Sequence, residues 1–186
     1  MSTPKKLSLA AVAVLALTSS MALAADKNGL GESVGLGQPI TENDIKAWDI
    51  TVLPDGTNLP PGSGTANEGA KLYAEKGCVA CHGESGKGGR SAALVSDLKL
   101  EGAGIEAAKT IKNFWANSTT LFDYIRRAMP WPSPRTLSDN EVYALTAYIL
   151  ASNKLIGEGD TMDAKTLPQV KMPNRDNFII KFPDKI

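Results

Sequence analysis

Cys78-Val79-Ala80-Cys81-His82 is the stretch on which the reading of this chain turns. Two thiols three positions apart can each add to one of the two vinyl groups of a haem, and the adjacent imidazole then reaches the iron from one side of the ring. The spacing therefore sets ring position and proximal ligand together. Two plainer uses of such a pair are weaker here. Structural zinc is usually held by four Cys or His ligands, and the whole sequence offers two cysteines and one histidine. A thioredoxin-like redox pair belongs beside a βαβ pattern, and the residues around Cys78 carry none.

Because His82 is the only histidine, a second imidazole from the same chain cannot complete the iron's axial pair. Methionine is the usual alternative, and a Met/His pair suits electron transfer. Beyond the first 24 residues the candidates are Met129, Met162 and Met172. Met129 is favoured. Pro130 biases it towards extended geometry and lacks a backbone N–H, which suits a stiff loop that aims a thioether. A core-filling role is the plainer alternative for any of the three. Arg126 or Arg127, beside Met129, could pair with a haem propionate, since a guanidinium matches carboxylate geometry, although a solvated helix end is the simpler expectation. Phe114, Trp115, Phe122 and Trp131 could line a haem pocket or serve as ordinary core.

Outward from the motif, residues 67–76 have helical composition. Asn67 can cap the start, Glu68 suits the positive end, and Gly77 suits the stop. Residues 83–117 are rich in Gly, Ser and Lys and predict a long loop, with a short helical turn near 105–114. A loop of that length implies that something other than its own side chains fills the interior. Leu121, Phe122 and Ile125 lie at helical spacing over 118–128, with Arg126 and Arg127 at the favourable C-terminal end, and Pro130, Pro132 and Pro134 follow. The clearest helix opens on a capping box at Ser138 and Glu141, carries Val142, Leu145 and Ile149 on one face, and ends near Asn153.

The ends of the chain read differently. Lys5 and Lys6, the apolar run Leu7 to Leu17 and Ala22-Leu23-Ala24 form the pattern of a secretory signal peptide, residues 1–24. Its apolar core is too short for a bilayer of roughly 30 Å, and no later stretch approaches about 20 apolar residues. The mature chain is thus expected to be exported, without a membrane span. With Lys5 and Lys6 removed, eighteen basic residues face twenty acidic ones, a net charge of about −2 that does not suggest nucleic-acid binding. Residues 25–65 are expected to form an N-terminal arm, pinned to the domain by Trp48, Ile50, Val52 and Leu53, with Trp48 gaining most from burial. Residues 66–153 form the domain. Residues 154–186, interrupted by Pro168, Pro173 and Pro183, form a second arm without regular elements.

Gly69 and Tyr73 before the motif, with Leu145 and Tyr148 on the last helix, resemble the crossing of first and last helices in class I cytochromes c. The resemblance implies an all-α fold of few helices around one haem, here with extended N- and C-terminal arms. A narrower similarity runs through Ala47-Trp48-Asp49-Ile50, Pro54-Asp55-Gly56-Thr57-Asn58-Leu59-Pro60-Pro61-Gly62, Phe122-Asp123-Tyr124-Ile125-Arg126-Arg127-Ala128-Met129-Pro130 and Met172-Pro173-Asn174-Arg175-Asp176. These segments resemble the periplasmic cytochrome partners of molybdenum sulfite dehydrogenases and the cytochrome part of sulfane dehydrogenase. By that resemblance Cys78 and Cys81 attach one haem c, His82 is the proximal ligand and Met129 the distal one. Sulfane dehydrogenase cytochromes often carry a second haem motif and this chain carries one, which favours the separate sulfite dehydrogenase partner.

The resemblance thus implies a periplasmic electron carrier, not an enzyme. It would take single electrons from a sulfur-oxidising dehydrogenase and deliver them to a downstream cytochrome or oxidase. The competing expectation is a catalytic haem, which would need an open or displaceable sixth ligand. A thiol module without haem is a third possibility.

Overall fold

The structure, a computed structural model, describes residues 37–46, 48–98 and 108–178. The expected signal peptide, residues 1–24, lies outside the described residues, as do residues 105–107 of the expected helical turn. The described elements run α1 (Glu42–Lys46), β1 (Ser63–Thr65), α2 (Ala66–Glu75), α3 (Val79–His82), α4 (Ile111–Phe114), α5 (Ser118–Ala128), α6 (Asp139–Ser152) and β2 (Thr161–Asp163), with 3-10 turns at Leu167–Gln169 and Arg175–Asn177. The described residues before Lys46, 37–45, belong to a unit separate from the rest. In it Thr41 donates from its backbone N–H to the Asp44 carboxylate at 2.8 Å, at the entry to α1.

Local chemistry explains where the helices begin and end. α2 is capped by Thr65 rather than by Asn67. The Thr65 hydroxyl accepts from the Glu68 N–H at 3.3 Å, and the Glu68 carboxylate accepts from the Thr65 N–H at 2.8 Å. This reciprocal pair satisfies two N-terminal donors at once, which a cap at Asn67 would leave to solvent. Past its end Gly77 takes φ +77°, as the stop signal predicted. α5 occupies the predicted span, and α6 opens on the predicted Ser138/Glu141 capping box.

α2 crosses α6 at Gly69. A Cβ there would collide with the carbonyl of Ala144 and lie 2.7 Å from the Tyr148 Cβ, so only glycine permits this approach. One turn on, the rings of Tyr73 and Tyr148 meet with centroids 5.1 Å apart and tilted by 48°. Val142, Tyr143, Leu145, Ile149 and Leu150 of α6 are buried, together with Leu121, Phe122 and Ile125 of α5. The mostly helical class I architecture is therefore present.

Two departures from the sequence reading concern the flanking segments. The stretch after Lys154 contains regular structure: β2 pairs antiparallel with β1 in the register Ser63 to Asp163, Gly64 to Met162 and Thr65 to Thr161. Three-residue strands are too short to show a period. Beside β2, Gly64 of β1 brings its backbone against that of Ala144, where a side chain could not fit. Met162, Leu167, Val170 and Met172 then enter the core. The second departure is Trp48, which is 81% exposed, whereas Val52 is buried and its N–H donates to the Asp123 carboxylate at 3.0 Å. Val52 holds this part of the chain on α5.

Candidate haem site

The short helix α3 carries the Cys-x-x-Cys-His motif, with both cysteines free and half-buried. Its entry is fixed by the Cys78 N–H, which donates to the Tyr73 carbonyl at 3.1 Å. Its exit is fixed by the Tyr73 hydroxyl, which donates to the Gly83 carbonyl at 3.0 Å. Burial pushes the Tyr73 hydroxyl up to about 12, so it remains a proton donor over the working range. Burial likewise pushes the Cys78 thiol up.

Gly83, at φ +83°, turns the chain back beneath the motif. The returning strand of loop makes three contacts. The Ser91 N–H donates to the Cys81 carbonyl at 2.9 Å, Arg90 Nη2 lies 3.3 Å from Cys81 Sγ, and His82 Nδ1 lies 3.0 Å from the Ala92 carbonyl oxygen. A carbonyl oxygen can only accept, so Nδ1 carries a proton and donates, which leaves Nε2 as the nitrogen that could hold a metal. The loop is tied to the last helix through buried Asn153. Its amide donates to Leu94 O and Ile149 O, both at 2.9 Å, and its side-chain oxygen accepts from the Ser96 N–H at 3.3 Å.

Cys78, Cys81 and His82 open on a cavity of about 780 Å³, and Met129 lines the same cavity. That volume is within the roughly 300–1,000 Å³ usual for sites that enclose an organic ligand. Leu121, Ile125, Leu145 and Ile149 supply apolar wall, and residues 90–94 and 109–111 of the long loop close it. The described parts of the long loop thus border a cavity that their own side chains do not fill. Met129 follows α5 in extended geometry, φ −120° and ψ 147°, as Pro130 requires. Met162 and Met172 are each 4% exposed, belong to the core and do not line the cavity.

Other expectations are redistributed. Arg127 is held by the Asp123 carboxylate, with contacts of 2.7, 2.8 and 3.0 Å, and Arg126 by Asp139 at 3.2 Å. Arg127 is thus engaged through both Nε and Nη2, whereas the contact of Arg126 uses Nε alone. Trp115 and Trp131 line the cavity. Phe122 instead packs on Tyr143 in the core at 4.4 Å, and Phe114 meets Phe178 edge-on at 6.0 Å. Ala92, Arg90 and Asn153 went unnoticed in the sequence. The acceptor at Ala92 is a backbone oxygen, which every residue type carries, so no sequence signal could have identified it.

The donor set fits a haem: an apolar cavity, two thiols on one edge, an imidazole with its tautomer fixed, and a thioether on the same cavity. The comparisons agree. The cytochrome c family model matches residues 66–153. The crystal structure of the sulfane dehydrogenase SoxCD from Paracoccus pantotrophus contains a chain that is similar at 35% identity and a TM-score of 0.68, over 82% of this chain and 73% of that one. A search of curated proteins returned no match.

Proposed function

This chain belongs to the class I c-type cytochromes and carries haem c, and from that premise we propose that it is a periplasmic carrier of single electrons fed by a sulfur-oxidising dehydrogenase. Electron transfer is the role the family establishes; the site assignments, the donor and the compartment are our reading. Cys78 and Cys81 would hold the ring covalently, and His82, through Nε2, and Met129 would hold the iron. Haem, once bound, provides a one-electron couple that a Met/His pair shifts towards the reduced state. The protein's own part is to fix His82 through Ala92, exclude water with the apolar wall, and present one edge of the cavity to partners. Residues 1–24 direct export, residues 66–153 form the redox domain, and the segments on either side enlarge the surface available to a partner.

The observation that carries this reading is the position of Met129 on the cavity that holds His82, while Met162 and Met172 are consumed by the core. A methionine on the iron closes the sixth position, which disfavours a catalytic haem. Two donors fit. The single haem motif favours a sulfite dehydrogenase, whereas the similarity to a chain of a sulfane dehydrogenase favours a sulfane-oxidising one. Sulfite oxidation releases two electrons, so one haem would be reduced twice per turnover.

Intact mass and carbon monoxide binding test the reading together. One covalent haem, and slow or absent carbon monoxide capture by the reduced protein, is the expected result. Rapid capture would identify an open iron and a catalytic role, and absence of covalent haem would leave only a thiol module.

A further inference from the structure

We propose that Arg90 is a potential-setting residue, its guanidinium placing a positive charge, paired with no carboxylate of the described residues, beside the Cys81 attachment point of the haem. The proposal rests on the attachment of haem at Cys81 argued above, and it concerns a side chain that the sequence reading did not single out.

Three observations support it. Arg90 Nη2 lies 3.3 Å from Cys81 Sγ, the atom through which the ring is joined to the chain. The backbone beneath Arg90 is held on both sides. Gly89 approaches Cys81 so closely that a Cβ would collide with the Cys81 carbonyl and lie 2.6 Å from the Gly83 nitrogen. On the other side Ser91 donates to that same carbonyl, and Ala92 accepts from His82. The stem of Arg90 therefore starts from a fixed point beside the motif. Finally, among the described residues the ion pairs engage Lys76, Lys112, Arg126 and Arg127 with carboxylates, but not Arg90. Among the described residues no Asp or Glu lines the cavity.

Reducing the haem by one electron adds one negative charge at the site, with no bond made or broken in the protein. A nearby cation not paired with a protein carboxylate stabilises the reduced form relative to the oxidised one, and the haem's own propionates, present in both oxidation states, do not reverse that sign. The guanidinium is solvent-exposed, so water and salt weaken this interaction. The screening distance falls from about 10 Å at 0.1 M ionic strength to about 3 Å at 1 M. Lys76 also lines the cavity but sits 2.6 Å from Glu141, and its charge is compensated there.

The test is a potentiometric titration of the haem-loaded protein, followed by absorbance, with covalent loading of each variant checked by intact mass. Arg90→Gln is expected to titrate at a lower midpoint than the parent at low ionic strength, with the difference shrinking as salt is raised. Arg90→Lys is expected to retain the parent midpoint, and Lys76→Gln to change it less than Arg90→Gln does. An Arg90→Gln midpoint equal to the parent's at low salt, an Arg90→Lys midpoint equal to that of Arg90→Gln, or a difference that persists undiminished in high salt would each overturn the proposal. A parent protein without covalent haem would instead overturn the attachment itself.

Discussion

The ring of His82 donates from Nδ1 to the carbonyl of Ala92 at 3.0 Å, and of the contacts that link the motif to the loop closing the cavity this is the one made by the imidazole. It fixes the tautomer, holds the ring plane and leaves Nε2 directed to its own task. The bond survives only while the loop lies close, and that closeness depends on glycine at position 89.

Gly89→Ala is therefore expected to lower the stability of the haem-loaded protein. The new Cβ meets backbone atoms of Cys81 and Gly83, which cannot swing aside as a flexible side chain could. The expected loss is about 2 kcal/mol, measured as a shift in the midpoint of denaturant unfolding. An unchanged midpoint would mean that the loop accommodates a side chain at this position.

At the helix crossing, Gly69→Ala forces α2 away from Ala144 and Tyr148. Overpacking of this kind costs about 1–3 kcal/mol, and more where backbone must move. Gly159→Ala is the matching control, because a Cβ there meets nothing within 4 Å. Thermal melts of the two variants should separate clearly, with Gly159→Ala close to the parent.

Asn153 is almost fully buried and satisfies two carbonyls and one N–H. Asn153→Ala takes the side-chain partner from the Leu94 carbonyl and the Ser96 N–H and creates a void, while the Ile149 carbonyl keeps the backbone N–H of residue 153 at 3.1 Å, for an expected cost of about 3 kcal/mol. Hydrogen exchange checks the location of the damage: the amide of Ser96 should lose protection before those in the middle of α6.

Acid should weaken the fold through Glu141. Hydrogen bonds from Lys76 and from the Ser138 backbone hold its carboxyl below the usual glutamate range. Its folded-state value is depressed, so the unfolded chain binds the proton more readily. The stabilisation is complete above the ordinary glutamate value of about 4.3 and is lost as pH falls through the lower folded value. Glu141→Gln should flatten that part of the stability profile, and an unchanged acid limb in chemical denaturation would show that Glu141 contributes nothing to it.

Much of this was legible in the sequence because it is carried by residue type and spacing. The pentapeptide at Cys78, the helix from Ser118 to Ala128 and the capping box at Ser138 all declare themselves locally. The role of Gly69 was legible through the family resemblance. What escaped depends on partners distant in the chain. Gly64 and Met162 pair across 98 positions with three residues on each side, too few to show a pattern. The cap at Thr65 was displaced to Asn67 because both residue types cap helices well, and only the reciprocal bond with Glu68 decides between them. Trp48 was expected to be buried on grounds of size, yet the neighbouring Val52 makes the contact. Arg127, at a helix end, is engaged by Asp123 one turn back, and Arg126 meets Asp139 through Nε, pairings that their position in the sequence did not announce.

The distal assignment separates the three methionines experimentally. Met129→Ala should open the iron's sixth position, giving rapid carbon monoxide capture by the reduced protein and a lower midpoint potential. Met162→Leu and Met172→Leu should keep the parent's ligand-binding behaviour and show only modest losses of stability, of about 1 kcal/mol. Capture by Met162→Leu but not by Met129→Ala would move the distal ligand into the C-terminal segment.

The most direct test of the carrier role is the haem absorbance of the ferric protein mixed with a sulfur substrate and a catalytic amount of a sulfur-oxidising dehydrogenase from the same source. Sulfite with a sulfite dehydrogenase, and a protein-bound sulfane with a sulfane dehydrogenase, are run as separate arms. The account predicts complete reduction in one arm, at a rate proportional to the dehydrogenase and far above that with substrate alone. No reduction in either arm, from protein that dithionite reduces fully, would contradict it.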